Sequence, residues 1–525
     1  MNLEKIKTQE IDGLKLIFAI LSGLLLTGAF PKIGLGWLAW FALVPLLVAI
    51  KYLPPGKSFV VGFVSGFVHY FTLLYWVVYT MQTYGNLPLI LSLFILILLS
   101  AFLALFVASF SLMLAGFSTT PAVYFGLTPV LWVSSEILRS FLFSGFPWEL
   151  IGYSQYQNLH IIQISDIFGV YGVSFILTLA NGVVVLIITY VSDRDFRVTG
   201  ISKILTAGCT FACLLVLFFA WVYGNGRIHS IDNEIVLSPA ASVSIVQGNI
   251  DQAHKWDPEF QFATVEKYIK LSQVAASHQT DLIVWPETAT PFYFLNNLRL
   301  SGVIINGIGS AEADFLIGSP SFSRTESGTA HYNSAYLINS GGEVYGKYDK
   351  AHLVPFGEYV PFKKWLPFIG KMVEAVGDFS AGQKGNTIDW RQYKLGVQIC
   401  YEIIFPNLSR ALVRNDADLL INITNDAWYG PSSAPYQHFS MAIFRAVENR
   451  RALVRSANTG ISGFIDPVGR IMVSTPIFED RVETSTVPIL KTRTFYTRFG
   501  DLFAYACLVV SLGFILSGAI RSARN

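Results

Sequence analysis

Apolar residues in the first 226 positions come in long unbroken runs, and after that in short alternating ones. A hydrocarbon core about 30 Å thick needs about 20 helical residues at 1.5 Å each. Runs of this kind lie near residues 14–30, 34–51, 58–81, 88–115, 121–142, 165–191 and 203–224, with another at 502–520. Pro31-Lys32, Pro54-Pro55-Gly56-Lys57, Gly85-Asn86, Thr119-Thr120-Pro121, the loop 144–164 and the segment 192–202 break them apart. The pattern predicts a membrane domain with about seven transmembrane helices over residues 1–226 and a C-terminal transmembrane helix within 501–525. The first two runs are short, and a re-entrant pair is the alternative to two spans.

Residues 227–500 carry a different rhythm. Val243–Gln247, Asp281–Trp285, Asp314–Gly318, Ala335–Asn339, Lys394–Cys400 and Asp418–Asn422 are short apolar or β-branched runs closed by turn or polar residues. Ser340-Gly341-Gly342 marks a hairpin over Ala335–Tyr348, and Pro467-Val468-Gly469 marks a second over Ser462–Val473. Helical spacing fits Pro258–Ser277 and Tyr436–Arg451, the latter through Phe439, Ala442, Ile443 and Ala446. Alternation of this kind predicts a layered α/β domain.

Charge sharpens the division. Charged residues make up 14% of the chain, against about 25% in a soluble globule, which excludes an ordinary cytosolic domain. Of the 72 Asp, Glu, Lys and Arg, 18 lie in residues 1–226 and 52 in 227–501; none occurs from Ser58 to Ser135. Placing Lys5, Lys7 and Lys15 on the cytoplasmic side puts Lys51, Lys57, Arg194, Arg197, Lys203, Arg521 and Arg524 there too. Only Lys32 and Arg139 then fall near the outer face, and residues 227–500 lie outside. A cleaved signal peptide over 5–29 is the rival reading, but removing the first span would invert this bias. His69, Glu136, Arg139 and Asp166 are the ionisable groups within the spans. Glu136 and Arg139 share a helical face and can neutralise each other; a structural pair is favoured over an ion pathway.

Three of the four cysteines lie in apolar spans, which leaves Cys400 as the thiol of the external domain. Leu395, Val397 and Ile399 alternate into one face, and Cys400-Tyr401-Glu402 then breaks the pattern where a strand leaves its sheet. Two other strand or loop ends carry Trp285-Pro286-Glu287 and Tyr348-Asp349-Lys350. A thiol, a carboxylate base and a cation form the set that covalent thiol catalysis needs. No cysteine and histidine cluster has zinc spacing, and the reading requires no cofactor.

Trp285-Pro286-Glu287, the run from Lys350 through His352-Leu353-Val354-Pro355-Phe356-Gly357-Glu358, and Cys400-Tyr401-Glu402 resemble the three signatures of the nitrilase (carbon–nitrogen hydrolase) superfamily. That resemblance implies an αββα sandwich and a Glu287–Lys350–Cys400 triad. Further runs extend it to residues 10–520. They are Gly145-Phe146-Pro147-Trp148 with Gly152-Tyr153-Ser154-Gln155, Gln247-Gly248-Asn249-Ile250 with Lys255-Trp256, and Asn422 through Thr424-Asn425-Asp426 to Trp428. With them the chain resembles the bacterial apolipoprotein N-acyltransferase family. The resemblance implies a multi-pass inner-membrane enzyme with its catalytic domain in the periplasm. It implies a phospholipid acyl donor, typically phosphatidylethanolamine, a diacylglyceryl-apolipoprotein acceptor and no nucleic-acid partner. It also implies supporting roles for Glu358 and Glu402, and a place for Trp256 and Tyr401 near the substrate, although core packing explains an aromatic equally well. The alternative is a membrane-tethered amidase acting on a small C–N substrate, for which the spans would be superfluous; a transporter or sensor with a dead domain is a third reading. The stretch Pro355–Gly382 interleaves aromatics with Lys363, Lys364 and Lys371, a composition suited to an arm that dips into lipid and gates access.

Overall fold

The computed structural model describes residues 10–117, 120–192, 202–309, 311–326, 328–360 and 378–524. Most of the expected arm, residues 361–377, lies outside them. The chain divides into two compact units, one of residues 1–78, 89–228 and 499–525, the other of residues 79–88 and 229–498.

The first unit is helical: α1 (Gly13–Gly28), α2 (Val44–Ile50), α3 (Pro55–Leu73), the start of α4 (Trp76–Thr83), whose residues from 79 on belong to the second unit, α5 (Leu89–Phe117), α6 (Pro121–Phe141), α7 (Val170–Ser192), most of α8 (Lys203–Leu237), and, at the chain's end, Leu502–Arg524. Among the described residues α5, α7 and α8 are long and apolar enough to cross a bilayer; α3 and α4, bent by 49° at their break, make a fourth candidate. The run at 34–51 is not one helix. A tight turn over Gly36–Trp40 precedes α2, and Asn181 of α7 serves the irregular backbone, donating to Ala39 O at 2.9 Å and accepting from Leu43 N at 2.9 Å. Small residues let α3 lie close to α5: a Cβ on Gly62 would sit 2.3 Å from Ser111 Oγ, and one on Gly66 would sit 3.0 Å from Ala104 Cα.

Two ionisable residues of this unit, Glu136 and Arg139, hold irregular backbone. Glu136 accepts from Ile151 N–H at 2.8 Å and Trp132 Nε1 at 3.0 Å, while Arg139 donates to Trp148 O at 2.9 Å. Each clamps the 144–155 loop, where simple mutual neutralisation was the expectation. Asp166 accepts from Tyr223 Oη at 2.7 Å and Arg227 Nε at 2.9 Å.

The second unit is built on two six-stranded sheets. The first runs β12 (Arg481–Pro488), β1 (Ala240–Gln247), β2 (Leu282–Val284), β3 (Asp314–Thr325), β4 (Gly328–Ile338), β5 (Val344–Asp349). The second runs β11 (Ile471–Ser474), β10 (Gly463–Ile465), β9 (Leu453–Ala457), β8 (Leu419–Thr424), β7 (Tyr393–Ile399), β6 (Ile388–Trp390). Strands β1–β2–β3 and β7–β8–β9 are parallel, and the other pairs are antiparallel. Helices α9 (Pro258–Ala276) and α10 (Leu298–Ile308) cover the first sheet, with Val265, Tyr268, Ile304 and Ile308 packed on Ile283, Trp285, Phe315 and Ile317. Helices α11 (Pro406–Arg414) and α12 (Ala434–Asn449) accompany the second. Ser456 Oγ links the two sheets by donating to Val284 O at 3.0 Å and Val246 O at 3.3 Å. The sandwich follows from alternation, since each fully buried parallel strand needs apolar cover on both faces.

Candidate functional site

The site gathers at the carboxyl ends of strands from both sheets, where loops leave a rigid frame. Glu287 follows β2 and Lys350 follows β5; Cys400 follows β7 and Asn425 follows β8. Cys400 takes a left-handed backbone (φ +54°), a strained conformation for a side chain other than glycine, and opens a tight turn over Cys400–Ile404. Gly318 on β3 makes room for the Glu287 turn: a Cβ there would lie 2.3 Å from Pro286 O and 2.8 Å from Glu287 Cα.

Three of the residues expected from sequence are brought together. Lys350 Nζ sits between two carboxylates, 3.0 Å from Glu358 Oε1 and 3.7 Å from Glu287 Oε1. All three side chains are buried. Burial works against the ammonium, but Glu358 and Glu287 outweigh it and hold Lys350 above its usual range. Burial, and then Glu287, push the Cys400 thiol up to about 12, with Lys350 pulling the other way. A thiol in that state is protonated, and the charges acting on it are those of Glu287 and Lys350.

Glu358 and Glu402 hold backbone and neighbouring side chains. Glu358 Oε2 accepts from Val354 N–H at 2.9 Å while its other oxygen holds Lys350 and Asn333. Glu402 is fully buried and accepts from Ile399 N–H (2.7 Å), Ala351 N–H (2.8 Å), His352 N–H (3.0 Å) and Tyr348 Oη (3.0 Å). It thereby ties the Lys350 segment to the end of the Cys400 strand. Burial raises its carboxyl to about 7, although these donors favour the anion. Tyr401 packs edge-on against Phe405 at 5.1 Å between ring centres. Trp256 lines a cavity of about 680 Å³ with Phe292, Tyr293, Leu298 and Pro320.

Several neighbours of these residues were given no role from sequence, although Lys255, Asn425 and Asp426 lie in the matching runs. Asn333 Nδ2 donates to Glu287 Oε1 at 2.8 Å, and Asn425 N–H donates to Glu287 Oε2 at 2.9 Å, so both carboxylate oxygens are aimed. Lys255 is buried and donates to Glu287 O and Thr288 Oγ1, each at 3.1 Å; burial lowers it to about 8. Behind Cys400, His438, Asp426 and Arg455 form a fully buried cluster. Segment 79–88 joins this unit through Thr80 Oγ1, which donates to Trp428 O at 2.8 Å, and Tyr84 Oη, which donates to Ala427 O at 3.0 Å. The usable signal was a polar residue within an apolar helix, as at His438; the polar run around Asn333 gave none.

Comparison with known proteins now bears on this geometry. The apolipoprotein N-acyltransferase N-terminal domain model matches residues 22–183, and the carbon-nitrogen hydrolase model matches 242–495. The apolipoprotein N-acyltransferase of Geobacter metallireducens is 42% identical over 512 residues, 97% of this chain and 96% of that one. The chain belongs to the apolipoprotein N-acyltransferase family. Other relatives of that name, from Methylococcus capsulatus and Haemophilus influenzae, are each 31% identical, over 97% and 95% of this chain and 97% and 93% of theirs. Among solved structures, Nit3 of Saccharomyces cerevisiae, a nitrilase-superfamily member, is 20% identical over 47% of this chain and 90% of that one, with a TM-score of 0.36. Membership over both halves makes the protein an acyltransferase with a nitrilase-type catalytic domain, and sets aside the tethered amidase, which would leave the N-terminal match without a role.

Proposed function

We propose that this N-acyltransferase moves an acyl chain from a phospholipid, phosphatidylethanolamine in the simplest case, through a Cys400 thioester to the N-terminal amine of a diacylglyceryl-cysteine. The observation that carries the reading is a strained strand-end thiol whose governing charges are Glu287 and Lys350. Glu287, aimed by Asn333 and Asn425, accepts the thiol proton as Sγ attacks the ester carbonyl carbon. Negative charge then grows on the carbonyl oxygen, where Lys350 Nζ and the Tyr401 N–H stabilise it. Collapse breaks the ester C–O bond, and the proton on Glu287 passes to the departing lysophospholipid alkoxide. In the second half the lipoprotein amine attacks the thioester, Glu287 takes its proton, and the C–S bond breaks to return the thiol.

Trp256 and the cavity it lines with Phe292, Leu298 and Pro320 are the surface assigned here to the apolar part of a substrate. On this reading the protein sits in the inner membrane with residues 227–500 on the periplasmic side. The apolar runs and the Lys/Arg bias support about seven crossings before residue 226, the bent run at 34–51 counted as one of them, and one after 501. The test is purified protein in detergent with labelled phosphatidylethanolamine, followed by a diacylated lipopeptide. A labelled thioester that Cys400→Ala abolishes, and that the lipopeptide discharges as an amide, is expected. Absence of the thioester in wild type would overturn the reading.

A further inference from the structure

The peptide unit joining Cys400 to Tyr401 has two ends with different partners. Its N–H is the backbone donor assigned to the oxyanion under the proposed function, and the role inferred for the partners of its other end rests on that reading. Its carbonyl oxygen accepts from His438 Nε2 at 3.2 Å and from Asn422 Nδ2 at 3.4 Å. His438 stands on α12, and His438, Asn422, Asp426 and Arg455 are all fully buried.

The tautomer follows from the Cys400 carbonyl, which only accepts, so the neutral ring carries its proton on Nε2. On the far side Nδ1 then accepts from Arg455 Nη2 at 2.9 Å, and the same guanidinium nitrogen donates to Asp426 Oδ2 at 2.8 Å. Asp426 Oδ1, 3.0 Å from the same ring nitrogen, is also bonded by the Thr424 hydroxyl at 3.0 Å. Arg455 donates from Nη1 to Asn422 Oδ1 as well, which fixes the amide that shares the Cys400 carbonyl. Burial and the Arg455 charge keep the imidazole neutral, below its usual range.

A peptide group is conjugated, so hydrogen bonds to its oxygen draw density from nitrogen and make the N–H a stronger donor. We infer that His438, oriented by Arg455 and Asp426, is a positioning residue that polarises the Cys400–Tyr401 peptide and so strengthens the oxyanion site during thioester formation. The same bonds hold the left-handed Cys400 turn.

The two roles separate by reaction type. Acyl transfer to Cys400 builds an oxyanion, whereas alkylation by iodoacetamide displaces iodide at a saturated carbon and builds none. His438→Phe keeps a ring in place and removes the donor; His438→Gln restores an N–H. The full-length enzyme is assayed in detergent for thioester formation from labelled phosphatidylethanolamine and for iodoacetamide alkylation of Cys400. His438→Phe is expected to slow thioester formation about 10- to 100-fold at unchanged KM, a fraction of what losing a direct oxyanion donor does. Alkylation should stay within about twofold, and His438→Gln should recover most of the loss. Equal slowing of both reactions would show that His438 merely shapes the turn, and no slowing of either would show that the peptide is indifferent to it; both overturn the inference. Should His438→Phe fail to fold, His438→Asn, whose amide is too short to reach the carbonyl, gives the same contrast. If wild type itself forms no thioester, the proposed function fails and takes this inference with it; if wild type acylates normally and the contrast is absent, this inference alone falls.

Discussion

Removing the acceptor at Glu402 should separate holding the site from building the fold. Its carboxylate takes hydrogen bonds from three backbone N–H groups, those of Ile399, Ala351 and His352, and from the Tyr348 hydroxyl, all within 3.0 Å. Glutamine keeps one carbonyl oxygen, so Ala351 and His352 can stay bonded while its NH2 faces the Ile399 N–H. One buried donor without a partner costs about 1–3 kcal/mol. Alanine strands all four donors, and even at the lower bound for each the loss is about 4 kcal/mol. A domain of this size loses about 2–4 °C per kcal/mol. Melting followed by tryptophan fluorescence in detergent should thus fall by about 2–12 °C for Glu402→Gln and by about 8 °C or more for Glu402→Ala. The chemical effect of the milder change should be the larger in proportion. Ala351 and His352 directly follow Lys350, and a slip of about 1 Å in a catalytic group can cost about 100-fold. Folded Glu402→Gln protein should therefore form the Cys400 thioester at least about 10-fold more slowly than wild type. A Glu402→Ala protein melting within 2 °C of wild type and acylating at the same rate would refute the clamp.

Glu287→Gln should leave Cys400 in place yet slow thioester formation about 10²- to 10⁴-fold, read by labelled-lipid trapping, because it removes the carboxylate that Asn333 and Asn425 aim and that is proposed to take the thiol proton. Gly318→Ala puts a methyl group 2.3 Å from Pro286 O and should lower acylation along with melting temperature, by about 1–3 kcal/mol on the stability side. Lys255 gives a pH signature. Its folded pKa of about 8 lies below the usual 10.5, so the unfolded chain binds more protons between those values and stability should rise with pH across that window. Melting curves from pH 7.5 to 10.5 should show Lys255→Met losing part of that rise; identical slopes would contradict it.

Much of the molecule was legible in local pattern. Strands β1, β7 and β8, the hairpins at Ser340-Gly341-Gly342 and Pro467-Val468-Gly469, and helices α9 and α12 lie where alternation, turn chemistry and helical spacing put them, to within a few residues. β3 and β4 extend beyond the expected Asp314–Gly318 and Ala335–Asn339, because Ser319–Arg324 pair with Thr329–Ser334 despite their polar composition. Leu453–Ala457 carries Arg455 in its middle, and Arg481–Pro488 has little apolar content, so neither β9 nor β12 announced itself. The run at 34–51 was apolar enough for a span, yet its backbone bends because Asn181, far along the chain, supplies the missing partners.

The sequence by itself determined two materials, the family signatures and the identities of Glu287, Lys350 and Cys400, since hydropathy, turn residues and short motifs are local properties. Only the tertiary structure decided what surrounds them. Asn333 reaches Glu287 from β4, Asn425 from the end of β8, and His438 reaches the Cys400 carbonyl from a helix 38 residues away. Such partners leave little local trace, because a buried polar group is required by an unmet hydrogen bond elsewhere in the fold and not by its neighbours in sequence. The charge-poor half explains how an enzyme of this family meets a lipid. The long-range hydrogen bonds explain how the Glu287 carboxylate is aimed and how the turn at its strand-end thiol is held.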